Sequence, residues 1–240
     1  MGIAYGTTTL HQATKGIVQD GLIFNLDFGT KDSYSTGSSC YDIKKGNVGT
    51  INNSPTFSKA KGGGFLFDGT NEVIRFTGPG TGFYGSDEFS VCVWAYPTFI
   101  NGETTFVRSV SQYYSASNWD LGPTLWGGGR LTLQAGGTSG SDVVGSTIMS
   151  ANNWYYACMS RGSSGVNLYL NNNLEASNQS WNPSSQRSGY DSYLEIGPAG
   201  AYYYADAYQG IISCVQVYNR ALTSDEVARN FNATRHRFGI

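Results

Sequence analysis

Carboxylates come first among the residues that could do chemistry, because two of them on one strand face can serve as acid and nucleophile in glycoside hydrolysis. That arrangement needs acidic residues two positions apart. The two histidines, His11 and His236, do not support a nucleophile triad. The sequence therefore predicts a protein that is not an enzyme. No glutamate has an acidic residue two positions further on; they are Glu72, Glu88, Glu103, Glu175, Glu195 and Glu226.

Aromatic rings in polar segments are the next candidates, because large rings are unfavourable to leave in water. Rings flanked by Asn, Gln and Asp suit sugars, since a pyranose offers C–H faces for stacking and hydroxyls for hydrogen bonds. The same rings also suit packing under loops or contacts between proteins. Both interpretations stay open for the predicted glycan or protein contacts, which are Tyr113, Tyr114, Trp119, Trp126, Tyr202, Tyr203, Tyr204 and Tyr208.

A basic cluster near the end of the chain contains Arg235, His236 and Arg237. These residues follow a predicted helix, so they would complement the partial negative charge at its C-terminal end. The alternative is an assembly contact with an acidic partner protein.

Short strands must position these residues. The chain has 240 residues, 32 of them glycine, with 14% aromatic and 13% charged residues, which is typical of one domain built from strands and polar turns.

The net charge of −2 gives no reason to bind nucleic acid or an anionic membrane. No signal-type segment or 18-residue apolar run is found, so we expect a soluble product that starts in the cytoplasm.

Two strands are clearest. Ile211 to Tyr218 is dense in β-branched residues and predicts a central strand, and Phe89 to Tyr96 is apolar on both faces. Ser33 to Lys61 is interpreted as loops around one short strand. Further strands are predicted at 130–134, 143–149, 154–160, 166–170 and 193–196.

A short helix is predicted to begin after Thr223, which has capping-box spacing to Glu226.

The cysteines lack the spacing of a metal site, and most lie inside apolar strands. We therefore expect buried free thiols at Cys40, Cys92, Cys158 and Cys214.

Several segments together resemble laminin-G-like, concanavalin-A-like jelly-roll domains. Gly21 to Asp27 is similar to their opening strand, Gly63 to Asn71 with Val73 to Phe76 to their Gly-Phe-Asp-Gly hairpin, and Tyr218-Asn-Arg-Ala-Leu to their closing segment. The resemblance implies an all-β fold, a concanavalin-A-like jelly-roll sandwich of two antiparallel sheets with a short C-terminal helix. We expect an N-terminal arm at 1–20 and the domain at 21–240.

The early loop adds a narrower resemblance. Ser33-Tyr34 and Tyr41-Asp-Ile are similar to laminin-G-like domains in structural proteins of tailed bacteriophages. This implies a non-enzymatic virion protein, either a capsid decoration or a tail or fibre component, assembled in the host cytoplasm. Its expected partners are major capsid or tail proteins, further copies of itself on the particle, and a host-surface glycan held by a lectin-like face. The alternatives are a free carbohydrate-binding lectin or adhesin and a diverged glycoside hydrolase.

The resemblance makes calcium a candidate cofactor, because many such domains hold a calcium ion with carboxylates. Relatives often have Ile-Asp-Asp-Val before the closing segment, where this chain has Ile212-Ser-Cys-Val. An isolated Asp in a Gly-rich turn more often bonds its own backbone. No cofactor is therefore expected and calcium is not favoured, although these ligands remain available: Asp27, Asp68, Asp120 and Asp206.

Overall fold

The computed structural model describes residues 16–77, 88–100, 104–111, 117–124, 127–135, 142–181, 192–198 and 207–240. These residues form two eight-stranded sheets in which every paired neighbour runs antiparallel. Sheet A contains β1 (Leu22–Asp27), β4 (Thr56–Ser58), β5 (Gly64–Asp68), β7 (Phe89–Pro97), β12 (Tyr155–Gly162), β13 (Gly165–Leu170), β14 (Asn173–Asn178) and β16 (Gln209–Tyr218). Sheet B contains β2 (Ser39–Tyr41), β3 (Val48–Asn52), β6 (Val73–Thr77), β8 (Val107–Ser111), β9 (Ser117–Thr124), β10 (Arg130–Ala135), β11 (Val143–Ile148) and β15 (Ser192–Ile196).

Strand β16 is the centre of sheet A. One side pairs with β7, while the other pairs with β5 in its first half and with β1 in its second half. This confirms the predicted central strand. The remaining order of sheet A is β14-β13-β12-β7-β16, and that of sheet B is β11-β10-β9-β8-β15-β6-β3-β2.

The main core lies between the sheets. Alternation along β7 turns Val91, Val93 and Ala95 inward, and alternation along β15 turns Leu194 and Ile196 inward from the opposite sheet. This is the two-layer sandwich that the sequence predicts.

A second core covers the outer face of sheet A. Helix α1 (Ser224–Thr234) and the 3-10 turn Arg235–Phe238 lie on it, and Trp94 joins the layers. The Trp94 Nε1 donates to Thr234 Oγ1 at 2.8 Å, and its ring stacks on Phe238 at 4.2 Å between centroids. Helix α1 and the 3-10 turn therefore occupy this outer face of sheet A.

The predicted capping box is confirmed. The Thr223 hydroxyl accepts from the Glu226 amide, and the Glu226 carboxylate accepts from the Thr223 amide at 3.0 Å. Leu222 and Val227, on either side of the cap, are both buried in the second core.

Two predictions about the first third of the chain are wrong. The segment 33–61 contains three short strands, β2, β3 and β4, rather than one. The strands β5 and β6 do not form a hairpin, because β5 pairs in sheet A and β6 pairs in sheet B. The turn between them carries the chain from one layer to the other.

The described end of the predicted arm is packed on the domain. Val18 is buried, its amide donates to Asn230 Oδ1 at 2.7 Å, and its carbonyl accepts from the Tyr218 hydroxyl at 3.2 Å. Residues 16–20 therefore belong to the folded body rather than to a free arm, and residues 1–15 lie outside the described residues.

The four cysteines are buried free thiols, as predicted. Cys92 and Cys158 face each other across β7 and β12, with their sulfurs 2.9 Å apart. In the described part of the chain, no helix is long and apolar enough to cross a membrane.

Candidate functional site

The outer face of sheet B carries a row of polar residues that crosses neighbouring strands. Core residues alternate with outward ones along each strand, so Arg75 on β6, Glu195 on β15, Arg108 on β8 and Asp120 on β9 all point away from the main core. The strand register sets them side by side, as the pairs Arg75 with Glu195, Glu195 with Arg108, and Arg108 with Asp120.

The Glu195 carboxylate is fully engaged by arginines. Arg75 Nε donates to Oε1 at 2.8 Å, and Arg108 Nε donates to Oε2 at 2.7 Å. The exposed fraction of the side chain is 42% for Arg75, 9% for Arg108 and 2% for Glu195. Glu195 is thus a buried anchor with no oxygen free for a substrate, whereas the Arg75 guanidinium reaches solvent.

Exposed and half-buried residues on β2, β3, β6 and β15 make a platform that we define as Tyr41, Thr50, Arg75, Thr77 and Tyr193. The Arg75 guanidinium lies 4.9 Å from the centroid of the Tyr193 ring. Thr50 lies opposite Arg75 on β3, and Thr77 lies opposite Tyr193 on β6. Tyr41, on β2, is 44% exposed. Flat rings, hydroxyls and a guanidinium held by its own ion pair are the groups that stack on a sugar and bond its hydroxyls.

Two of the predicted contact rings are not at the surface, and for them the prediction is wrong. Trp119 is buried because alternation along β9 turns it into the main core, where its ring lies 5.9 Å from that of Phe89. Tyr208 is also buried, and its hydroxyl donates to the Ile211 carbonyl at 3.0 Å. The other predicted rings lie outside the described residues; they are Tyr113, Tyr114, Trp126, Tyr202, Tyr203 and Tyr204.

The basic cluster is divided by the fold. Arg235 and His236 are exposed, so they stay available for the predicted assembly contact. Arg237 instead turns inward, where its Nη1 donates to Asp27 Oδ2 at 2.8 Å and its Nη2 donates to Ser213 Oγ at 2.6 Å. Because both ends of the guanidinium are used inside the domain, Arg237 is a poor contact for another protein.

The candidate calcium ligands are engaged by the chain itself. Asp68 Oδ1 accepts from the Thr70 amide and hydroxyl, and Asp27 Oδ1 accepts from the Gly29 amide. Asp120 is buried beside Arg108, and Asp206 lies outside the described residues. Within the described ranges, His, Cys, Asp and Glu form no group of three that could hold a metal ion.

Sequence reasoning missed the platform. The alternation in Val73–Thr77 and Ser192–Ile196 is a signal that Arg75, Tyr193 and Glu195 point away from the core. It does not reveal that β6 and β15 are neighbours, and without that register the residues have no reason to be grouped.

The comparison with family models decides the family. Residues 68–228 match the model of the concanavalin A-like lectin/glucanases superfamily, in its laminin-G-like form. The chain belongs to this superfamily. The match covers the strands that carry Arg75, Arg108, Asp120 and Glu195, and it begins after β4.

Solved structures show the same fold at low sequence identity. Domain 4 of AbnA, an extracellular arabinanase of glycoside hydrolase family 43 from Geobacillus stearothermophilus in complex with arabinotriose, is 18% identical; the match covers 88% of this chain and 98% of that one, with a TM-score of 0.65. A Trypanosoma rangeli sialidase in complex with the inhibitor DANA is 15% identical over 93% of this chain and 34% of its own, also with a TM-score of 0.65. A mutant of that sialidase with trans-sialidase activity is 15% identical over 92% and 34%, with a TM-score of 0.66. The chain thus spans about a third of the sialidase chains. No curated protein sequence matches it.

Proposed function

We propose that this domain binds carbohydrate without hydrolysing it, and that the platform on the outer face of sheet B contacts the glycan. The observation that carries the proposal is the Arg75–Glu195–Arg108 arrangement. In this arrangement the buried Glu195 carboxylate orients the Arg75 guanidinium. That guanidinium lies beside the ring of Tyr193.

The same arrangement argues against glycoside hydrolysis on this face. Hydrolysis needs one carboxyl group that donates a proton and another that attacks or activates water, and both must reach the substrate. Glu195 and Asp120, the carboxylates of the polar row, are both buried. Glu195 is further held by two cations. A lectin role requires only that the ring and the guanidinium be presented.

A glycan array tests the binding role. We expect wild-type protein to bind a subset of glycans, and Arg75→Ala to lose about tenfold or more of that affinity, as for a charged hydrogen-bonding group. Arg235→Ala is the matched control, because Arg235 is an exposed arginine on the layer beyond sheet A. Equal loss in both variants, or a wild-type protein that binds nothing, would reject the platform.

We further propose that the domain is a structural component of a tailed-bacteriophage virion, on the capsid or on the tail. The support is the resemblance of the early loop to such proteins. Many copies on a particle would raise a weak affinity for each glycan to useful avidity. Proteomics of purified particles should find the protein, and immunogold labelling should place it on the head or the tail. Its absence from particles would leave the free lectin or adhesin as the better description.

A further inference from the structure

A cavity at the edge of sheet A lies apart from the platform. It has a volume of ≈ 260 Å³ and opens beside the loop after β1, the end of β4 and the turn before β5. Its lining residues are Phe28, Gly29, Thr30, Lys31, Tyr34, Phe57, Lys59, Gly62 and Gly63. All of them precede residue 68, where the match to the family model begins. We call it the lysine pocket.

Aromatic rings form one wall of the lysine pocket. Tyr34 and Phe57 are half-buried, with ring centroids 4.8 Å apart, and both rest on the buried Phe65 ring. Because Phe65 lies in the main core, the exposed faces of Tyr34 and Phe57 are held in fixed positions. A fixed aromatic face is suited to stacking against the C–H face of a sugar ring.

Glycine backbone forms the floor. A Cβ on Gly63, where φ is +83°, would lie 2.9 Å from the Gly29 Cα, and a Cβ on Gly29 would lie 2.9 Å from the Gly62 carbonyl oxygen. Only residues without side chains allow these two segments to approach so closely. The close contact of these two backbone segments therefore fixes the floor of the pocket.

Positive charge lies at the mouth. Lys31 and Lys59 are exposed, and neither forms an ion pair within the described part of the chain. The nearby Arg237 is already neutralised by Asp27. Asp32, next to Lys31 in sequence, is not among the lining residues. An occupant would meet two ammonium groups without a competing lining carboxylate.

We propose that the lysine pocket binds one acidic sugar unit, with its ring on Tyr34 and Phe57 and its carboxylate between Lys31 and Lys59. The lining suits a ligand with both an apolar ring face and a negatively charged group. This site is independent of the platform, since the two lie on different sheets and share no residue. It would give the domain a preference for acidic over neutral polysaccharide.

Ligand-detected NMR with matched methyl glycosides tests the pocket. Methyl glucuronide and methyl galacturonide should bind saturably, and methyl glucoside and methyl galactoside, in which a hydroxymethyl group replaces the carboxylate, should bind about tenfold more weakly or not at all. The doubly substituted Lys31→Gln/Lys59→Gln protein should lose this preference, and Lys59→Arg should keep it. Raising the salt concentration should weaken binding, because the ammonium groups are exposed.

A control separates this site from general charge attraction. Lys44→Gln/Lys45→Gln removes two exposed lysines from a different turn and should leave uronide binding unchanged. The proposal is overturned if neutral and acidic glycosides bind alike, if the two double variants behave alike, or if a poly-glutamate peptide competes as well as the uronide. Thermal melting of each variant confirms that it is folded.

Discussion

Arg108 Nη2 lies 2.6 Å from Glu195 Oε2 on the neighbouring strand, so the buried carboxylate on the outer face of sheet B is held as an ion pair. Arg75 takes the other oxygen and carries the arrangement to the surface. The buried pair accounts for the position of the exposed Arg75 guanidinium. Changes to this pair should therefore change the free energy of unfolding.

Breaking this pair should destabilise the protein strongly. Arg108→Met leaves the Glu195 carboxylate buried with one arginine fewer, and we expect a loss of about 3–5 kcal/mol in the free energy of unfolding. Replacing both as Glu195→Leu/Arg108→Met removes the buried carboxylate together with its buried partner, so the double variant should lose less than the sum of the single variants. Urea denaturation of the wild type, the two single variants and the double variant gives the four free energies of unfolding. Strictly additive losses would contradict an interaction between Arg108 and Glu195.

The helix cap should make stability depend on pH below 4.5. Hydrogen bonds from Arg220, followed by those of the capping box with Thr223, lower the pKa of Glu226 from 4.5 to about 2. The folded pKa lies below the unfolded one, so the stabilisation is complete above pH 4.5 and is lost as the pH falls toward 2.

Glu226→Gln should therefore lower the melting temperature at pH 7, with a loss on the scale of a cap, about 0.5–2 kcal/mol. At pH 2 the variant and the wild type should melt closer together. Asp32→Asn, at an exposed position, is the control and should show no such convergence. An equal difference in melting temperature at pH 7 and pH 2 would mean that the ionised Glu226 carboxylate is not the source of the stabilisation.

Burial should protect the thiols. It raises the pKa of Cys40 and Cys214 to about 12 and that of Cys158 well above its usual range. Because the thiolate is the reactive form, native protein prepared under reducing conditions should react only slowly with a disulfide reagent at pH 8. In the unfolded protein all four cysteines should react with the reagent. Rapid reaction of the native protein would show that a thiol is exposed.

Trp119 should matter for folding and not for glycan contact. Trp119→Ala removes a large side chain from the main core and should cost about 3–5 kcal/mol. Trp119→Phe keeps an apolar ring there and should retain glycan binding on the array. Selective loss of binding in this milder variant, with an unchanged melting curve, would return Trp119 to the list of contact residues.

Much of the fold follows from local pattern. The apolar run at 89–96, the β-branched run at 211–218 and the spacing of Thr223 and Glu226 are short-range signals, and the structure has the predicted element at each. The turn after β13 places Asn171 and Asn172 at φ of 48° and 72°, a conformation that asparagine tolerates.

The candidate site does not follow from local pattern. Residues 75, 108 and 195 become neighbours only through the order of strands in sheet B, and composition does not determine that order. Trp119 illustrates the same limit, because its polar sequence context suggested exposure while the alternation of β9 turned it inward. A one-residue change of phase along a strand exchanges core for surface.

The most direct measurement is a calorimetric titration with the glycan selected on the array, followed by chromatography of the recovered saccharide. Wild-type protein should bind it saturably and return it intact, while Tyr193→Ala should bind at least about tenfold more weakly without a change in melting temperature. Cleavage of the saccharide by the pure protein, or undiminished binding by Tyr193→Ala, would contradict a non-hydrolytic binding face on sheet B.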